Sequence, residues 1–353
     1  MHSFNVGILG ATGAVGQKFI RLLRNHPWFS IKALGASQRS AGKTYKQAAH
    51  WIEDIEIPED IAKRKVTTCE PEHFKGVDFV FSGLDSSVAL DIEKAFAEAG
   101  FPVISNAKNY RMFDTVPLLV PEVNPDHIEM IKKQDFTKDG SGWIVTNPNC
   151  VCVPLSMSLR PIHDAFGIDS MVVTSMQAVS GAGYPGVPSL DILGNAVPFI
   201  GGEEDKIDTE PLKLLGSLNS DGTVTHANFR VQSTAVRIPT VNGHLLSVAV
   251  KLKEKPGDIC KVKEAIENWK SPIADLDLPF APKQPVKLYE EDRHPQPRLH
   301  ATRENGMQLG MGRLRAGSVF DISYIALAHN TIRGAAGGAI LNAELLSEKG
   351  YLK

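Results

Sequence analysis

Phe4 to Leu9 is an apolar run of strand length. After a glycine-punctuated turn, Val15, Phe19, Ile20, Leu22 and Leu23 recur at helical spacing. The pattern predicts strand, turn, helix. Apolar runs follow at Ile31 to Ala36, Val77 to Phe81, Pro102 to Ser105 and Trp143 to Thr146, with helix-like stretches between them at Ser86 to Ala99 and Asp126 to Lys133. Such alternation predicts a mostly parallel sheet covered on both faces, an α/β unit. After Cys150 the rhythm changes. A helix-like segment to Phe166 leads into a long strand-like run, Ser170 to Val179, with later runs at Leu245 to Leu252 and Phe320 to Leu327, which predicts an α+β half. The glycine- and proline-rich stretch Ser180 to Pro188 reads as a loop. A final periodic segment, Ala335 to Leu346, enters through Gly334, closes at Gly350 and returns as a helix.

A length of 353 residues suits two domains at roughly 100 to 200 residues each. Hydrophobic residues at 42% and charged residues at 22% are ordinary for a globular chain. The net charge of −2, with no basic stripe, argues against nucleic acid as a partner. No run approaches the roughly 18 apolar residues of a membrane span, and Met1-His2-Ser3 passes straight into a strand without a signal peptide. Four cysteines, Cys69, Cys150, Cys152 and Cys260, are too few and irregular for a disulfide framework, so a reducing cytoplasm is expected. Cys150 and Cys152 form C-x-C without a second pair at zinc spacing, and no metal is expected.

Gly10, Gly13 and Gly16 form G-x-x-G-x-x-G between the first strand and the first helix, with Thr12, Ala14 and Val15 among them. Glycine lets the backbone turn tightly and approach a pyrophosphate, which N–H groups at a helix start bind. A tight turn with no ligand is the plain alternative. At the end of the second strand, where an acid would bond the ribose of NAD, the chain reads Gly35-Ala-Ser37-Gln-Arg39-Ser40. Ser37, Arg39 and Ser40 suit a 2′-phosphate, so NADP is favoured over NAD; a solvated basic loop is the alternative. In Thr146-Asn-Pro-Asn149-Cys150, a cysteine follows a strand and precedes a helix, where unpaired N–H groups favour a thiolate. It is a candidate nucleophile or a buried structural cysteine.

These stretches, with Gln177-Ala-Val-Ser-Gly-Ala-Gly183, Asp191-Ile-Leu-Gly-Asn195, Gly243-His244 and His329-Asn-Thr-Ile-Arg-Gly-Ala-Ala-Gly337, resemble aspartate-semialdehyde dehydrogenase nearly end to end, most closely its archaeal and fungal branch. The resemblance implies NADPH-dependent reduction of β-aspartyl phosphate to aspartate semialdehyde, toward lysine, threonine and methionine. It implies Cys150 as nucleophile with Asn149 beside it, Gln177 orienting substrate and His244 as acid/base. Arg237 would grip the substrate carboxylate and Arg111 the phosphate, while Glu203 and Lys206 would contact the ammonium and phosphate. Asn330 would lie near the nicotinamide. The implied fold is a Rossmann-like NADP-binding domain, residues 1–149 with 331–353, completed by the C-terminal helix, and an inserted α+β catalytic and dimerisation domain, 150–330, in a homodimer or homotetramer. Two positions depart from the family's habit: Val151-Cys152 follows the nucleophile and Leu245-Leu246 follows the histidine, where relatives carry polar groups. A related acyl reductase, of the malonyl-CoA reductase or N-acetylglutamyl-phosphate reductase kind, therefore stands as the alternative, and a noncatalytic NADP-binding regulator as a third reading.

Overall fold

The first strand, β1 (Phe4–Leu9), is buried from Val6 onward and ends in the glycine turn. Beside it lie β2 (Phe29–Ala36) and the short β3 (Thr67–Thr68) on one side, and β4 (Phe79–Ser82), β5 (Pro102–Ser105) and β6 (Trp143–Thr146) on the other. The computed structural model describes residues 3–352; Met1, His2 and Lys353, the ends of the expected cofactor domain, lie outside the described residues. The strand order is β3-β2-β1-β4-β5-β6, with every pair parallel. Strands in such a sheet are covered on both faces, which is why they read as continuous apolar runs.

The final helix (Gly337–Glu348) is buried from Gly337 to Ser347. It shares one core with Val6, Ile8, Phe19 and Phe81, so the end of the chain completes the first sheet's packing. A buried polar link reinforces this. His26 Nδ1 accepts the N–H groups of Trp28 and Phe29, so Nε2 carries the hydrogen it donates to Glu344 on the final helix, at 2.7 Å. Burial raises the Glu344 carboxyl above its ordinary range.

The second sheet contains β7 (Ile168–Gln177), β10 (Arg230–Arg237), β11 (His244–Leu252), β12 (Val286–Leu288), β13 (Leu309–Ala316) and β14 (Ile322–Ala328); β8 (Ser217–Leu218) and β9 (Val224–Thr225) form a separate ribbon. Its order is β10-β7-β11-β14-β13-β12, and parallel and antiparallel pairs mix. One face packs a core with the helix Cys152–Phe166. The other face carries Val172, Thr174, Met176, Leu245, Ala249 and Ile325, all only half-buried.

Some local expectations change. The stretch expected as a helix from Asp126 winds as a tighter 3-10 helix, Pro125–Lys133. Asn124 pins its start by accepting the Val120 N–H and donating to Leu118 O. The buried His127 ring, held between Asn124 and Gly216 O, draws one face inward. The final helix begins at Gly337, two residues later than the periodicity suggests, after a wide turn at Ile332–Ala336. Gly334 in that turn abuts the segment of Cys150, and a Cβ there would lie 2.8 Å from Cys150 Cβ. Among the described residues, no helix is long and apolar enough to cross a membrane.

Candidate active site

The glycine turn has the shape its sequence anticipates. Gly10 takes φ +74°, a backbone region that strains other residues. A Cβ on Gly16 would sit 2.3 Å from Gly10 O, so only glycine lets the first helix (Ala14–Leu23) start this close to the strand. Gly13 precedes that helix and no acid occupies its first turn, which leaves the N-terminal N–H groups suited to an anion. The Ala11 N–H bonds Gly35 O at 2.9 Å and so sets the end of β2 beside the turn. There Ser37 and Arg39 are exposed, while Ser40 is buried and bonds back to Ser37 O. The cradle of glycines and the acid-free end of β2 fit a dinucleotide with a 2′-phosphate.

Cys150 lies in the turn between β6 and the helix Cys152–Phe166. Asn149 organises that turn: its Oδ1 accepts the Val151 N–H at 2.8 Å, and its Nδ2 donates to Glu203 Oε1 at 2.9 Å. Both ends of the amide are thus engaged. The Cys150 N–H makes no hydrogen bond among the described residues.

Three residues far apart in sequence form a row at one end of the second sheet. Arg237 pairs with Gln177 at the ends of β10 and β7, and Leu245, one residue past His244, pairs with Met176. The chain leaves the sheet after Arg237, passes Pro239 and re-enters on the other side of β7, as a proline between the two residues requires. His244 Nε2 lies 3.2 Å from Cys150 Sγ, and His244 Nδ1 accepts the Ala178 N–H at 3.0 Å. A nitrogen that accepts cannot carry the hydrogen of a neutral ring, so the hydrogen is on Nε2, facing sulfur. Burial, helped by Arg237, lowers the His244 pKa to about 3 and keeps the ring neutral. Arg237 Nη1 donates to Ala178 O at 2.8 Å. Gly181 passes over both; a Cβ there would lie 2.9 Å from Arg237 Nη1 and 3.1 Å from the imidazole.

The helix Glu203–Leu214 supplies further charges. Glu203 accepts from Asn149, from Gln177 at 3.1 Å and from Lys206 at 2.8 Å. Burial alone would raise its carboxyl, but Lys206 and these hydrogen bonds prevail and hold it below the ordinary range. Burial and then the Glu203 charge push the Cys150 thiol up to about 12, against the pull of Arg111, Lys206 and Arg237. Cys152, buried in the adjoining helix with its sulfur toward Lys206 O, sits outside this arrangement.

A cleft of about 530 Å³ joins these parts: Ala14 and Val15 from the glycine turn, Asn149, Cys150 and Arg111, and Asn330 all line it. Asn330 donates to Ser180 Oγ at 2.8 Å and accepts the Gly243 N–H at 2.9 Å, which ties together the loops on either side of His244. At the mouth, His50 stacks on Tyr184 with ring centroids 4.7 Å apart. Two contributors were not anticipated from the sequence. The Ala178 N–H, which sets the His244 tautomer, leaves no sequence signal because any residue supplies it. Glu210, bonded to both Arg111 and the Asn149 N–H, does leave one: it continues a helical stripe of alternating charge through Glu203, Lys206 and Lys213.

Residues 5–131 match the family "Semialdehyde dehydrogenase, NAD binding domain", and residues 159–333 match "Semialdehyde dehydrogenase, dimerisation domain". The chain is 48% identical to aspartate-semialdehyde dehydrogenase of Schizosaccharomyces pombe, covering 98% of this chain and 99% of that one. It is 46% identical to the enzyme of the same name from Methanothermobacter thermautotrophicus, with the same coverage. A crystal structure of aspartate-semialdehyde dehydrogenase with NADP from Candida albicans superposes with a TM-score of 0.92 at 43% identity, covering 99% of each chain. With 48% identity over nearly the whole length and both domains matched, the chain belongs to the aspartate-semialdehyde dehydrogenase family.

Proposed function

We propose that this chain interconverts β-aspartyl phosphate and aspartate semialdehyde with NADP, through an acyl group held on Cys150. The observation that carries the reading is the 3.2 Å contact between Cys150 Sγ and His244 Nε2 in a cleft shared with the glycine turn. The sulfur attacks the acyl carbon as its proton passes to the departing phosphate, so phosphate leaves as hydrogen phosphate and a thioester forms. Bound NADPH supplies hydride, and NADP accepts it in reverse. The resulting alkoxide expels the Cys150 thiolate and becomes the aldehyde, so oxygen need not be protonated in that collapse; the thiolate takes one proton from solvent to restore the thiol, which replaces the proton carried off on phosphate. What the site must provide is stabilisation of negative charge on oxygen and sulfur. The Cys150 N–H and the His244 Nε2–H are suited to it, whereas the Asn149 side chain is occupied in shaping the turn. His244 thus works as a neutral hydrogen donor, a narrower role than acid/base catalysis.

Arg237 is the proposed clamp for the substrate carboxylate, Arg111 for phosphate, and Glu203 with Lys206 for the ammonium and phosphate; Gln177 orients the acyl group. Residues 1–149 with 331–353 form the proposed cofactor domain, and 150–330 the catalytic and dimerisation domain. The final helix sharing its core with β1 supports that division. The half-buried face of the second sheet, Val172, Thr174, Met176, Leu245 and Ala249, is where two copies would pair, and a sedimentation mass of twice 38.4 kDa or more checks it; a monomer would contradict it. Four free cysteines suit a reducing cytoplasm.

Two variants test the assignments. Arg39→Leu is expected to weaken NADPH about tenfold to a hundredfold and leave NADH little changed, since a charge-assisted bond to phosphate is worth about 1.5 to 3 kcal/mol. Equal losses in titrations with both cofactors would remove Arg39 from that role. Glu203→Gln removes a charge that raises the Cys150 thiol. With that charge gone, the thiol pKa falls and more thiolate is present at pH 8. Iodoacetamide should therefore alkylate Cys150 faster than in wild type while turnover of aspartate semialdehyde drops; slower alkylation would contradict the electrostatic account.

A further inference from the structure

Glu210 occupies the third turn of the helix Glu203–Leu214, buried to 2% exposure. Its two oxygens serve different parts of the cleft. Oε1 accepts from Arg111 Nη1 at 2.8 Å, and Oε2 accepts the Asn149 N–H at 2.7 Å. Arg111 is held from a second side, since its Nη2 donates to Asn106 O at 2.8 Å. Its Nε is buried without a hydrogen-bond partner among the described residues. One turn further along the same helix, Lys213 Nζ donates to the carbonyls of Arg111, Phe113 and Val116 and clamps the backbone that carries the arginine.

We propose that Glu210 is a positioning residue of the reaction. By holding Arg111 with one oxygen and the backbone next to Cys150 with the other, it sets the distance between the phosphate-holding guanidinium and the attacking sulfur. The proposal rests on the reading of Arg111 and Cys150 given above. Acyl transfer between sulfur and a phosphate oxygen requires both groups to meet one carbon at once, and small errors in that separation cost rate steeply. The carboxylate is suited to the task because it accepts at both oxygens. An amide accepts at one atom and donates at the other, so glutamine can satisfy Arg111 or the Asn149 N–H but not both.

The test is steady-state kinetics of phosphate-dependent aspartate semialdehyde oxidation with Glu210→Gln and Glu210→Asp, each substrate varied in turn. Wild type is measured first: if it shows no phosphate-dependent reaction, the proposed function fails, which is distinguishable from failure of this inference. Given an active wild type, Glu210→Gln is expected to raise KM for phosphate about tenfold or more and lower kcat by a similar factor, with NADP affinity within about twofold. Glu210→Asp keeps the charge but is one methylene too short for both partners, so it should show the same phosphate defect. A purely structural role would lower the active fraction and leave every KM unchanged. Folded variants with unaltered phosphate KM overturn the proposal, as does rescue by Asp, which would make charge rather than reach the requirement. Failure of both variants to fold, read by circular dichroism and NADP binding, assigns Glu210 to the core alone and overturns it too.

Discussion

Cys150→Ala is expected to lower turnover by at least about ten-thousandfold, because its sulfur carries the proposed acyl intermediate and no other thiol lines the cleft. The remaining cysteines offer no substitute: Cys152 is buried in the adjoining helix, and Cys69 and Cys260 do not line the cleft. NADP affinity should stay within about twofold, since the glycine turn and the end of β2 do not depend on the sulfur. Cys152→Ala removes a small buried side chain and should retain most activity, with a modest loss of stability measurable by thermal unfolding. Reversed phenotypes in parallel kinetic and NADP-binding measurements would transfer the nucleophile role to Cys152.

His244→Asn should have the next largest effect, a loss of about a hundredfold to ten-thousandfold in kcat. The ring gives one hydrogen, on Nε2, toward the reacting atoms, and asparagine cannot span from the Ala178 N–H to that place. Its pH behaviour separates a neutral donor from an acid/base. The folded ring has its pKa lowered to about 3, and protonation would turn a second N–H on Nδ1 against the Ala178 N–H. Between pH 5 and 9 its charge therefore does not change. The pH profile of kcat/KM should show no limb near 6.5, the ordinary histidine value, that disappears in the variant. Such a limb, present in wild type and absent in His244→Asn, would show that the ring exchanges its proton during catalysis.

Features set by local geometry were legible in the sequence. The glycine turn could be read because Gly10 and Gly16 answer steric demands within one strand-turn-helix, and the parallel sheet because strands buried on both faces are apolar throughout. The returning helix was legible as well, although its first turn is displaced by Gly334 packing against Cys150. Strand β10, Arg230-Val-Gln-Ser-Thr-Ala-Val-Arg237, escaped because its polar residues dilute the apolar alternation of a half-covered strand. Strand β13 escaped because Gly310 and Gly312 interrupt its pattern. Those glycines are demanded by partners remote in sequence: a Cβ at Gly312 would lie 2.3 Å from His294 O. The row of Arg237, Gln177 and His244 is a product of strand order, which spacing along the chain does not encode; only the family resemblance singled those residues out. Glu210 and Lys213 lie on a helix whose many charged residues give no apolar pattern to read, yet both are buried, with the loop bearing Arg111 folded over them.

The central claim, an acyl transfer between Cys150 and phosphate on an aspartyl substrate, is tested most directly by following NADP reduction with purified wild-type protein. Aspartate semialdehyde with phosphate is compared with malonate semialdehyde plus CoA. The account predicts NADPH formation with aspartate semialdehyde that depends on phosphate, is lost in Cys150→Ala, and is at least about a hundredfold slower with the malonyl pair, which lacks the ammonium that Glu203 would meet. Phosphate-independent reduction, or a preference for malonate semialdehyde with CoA, would contradict it.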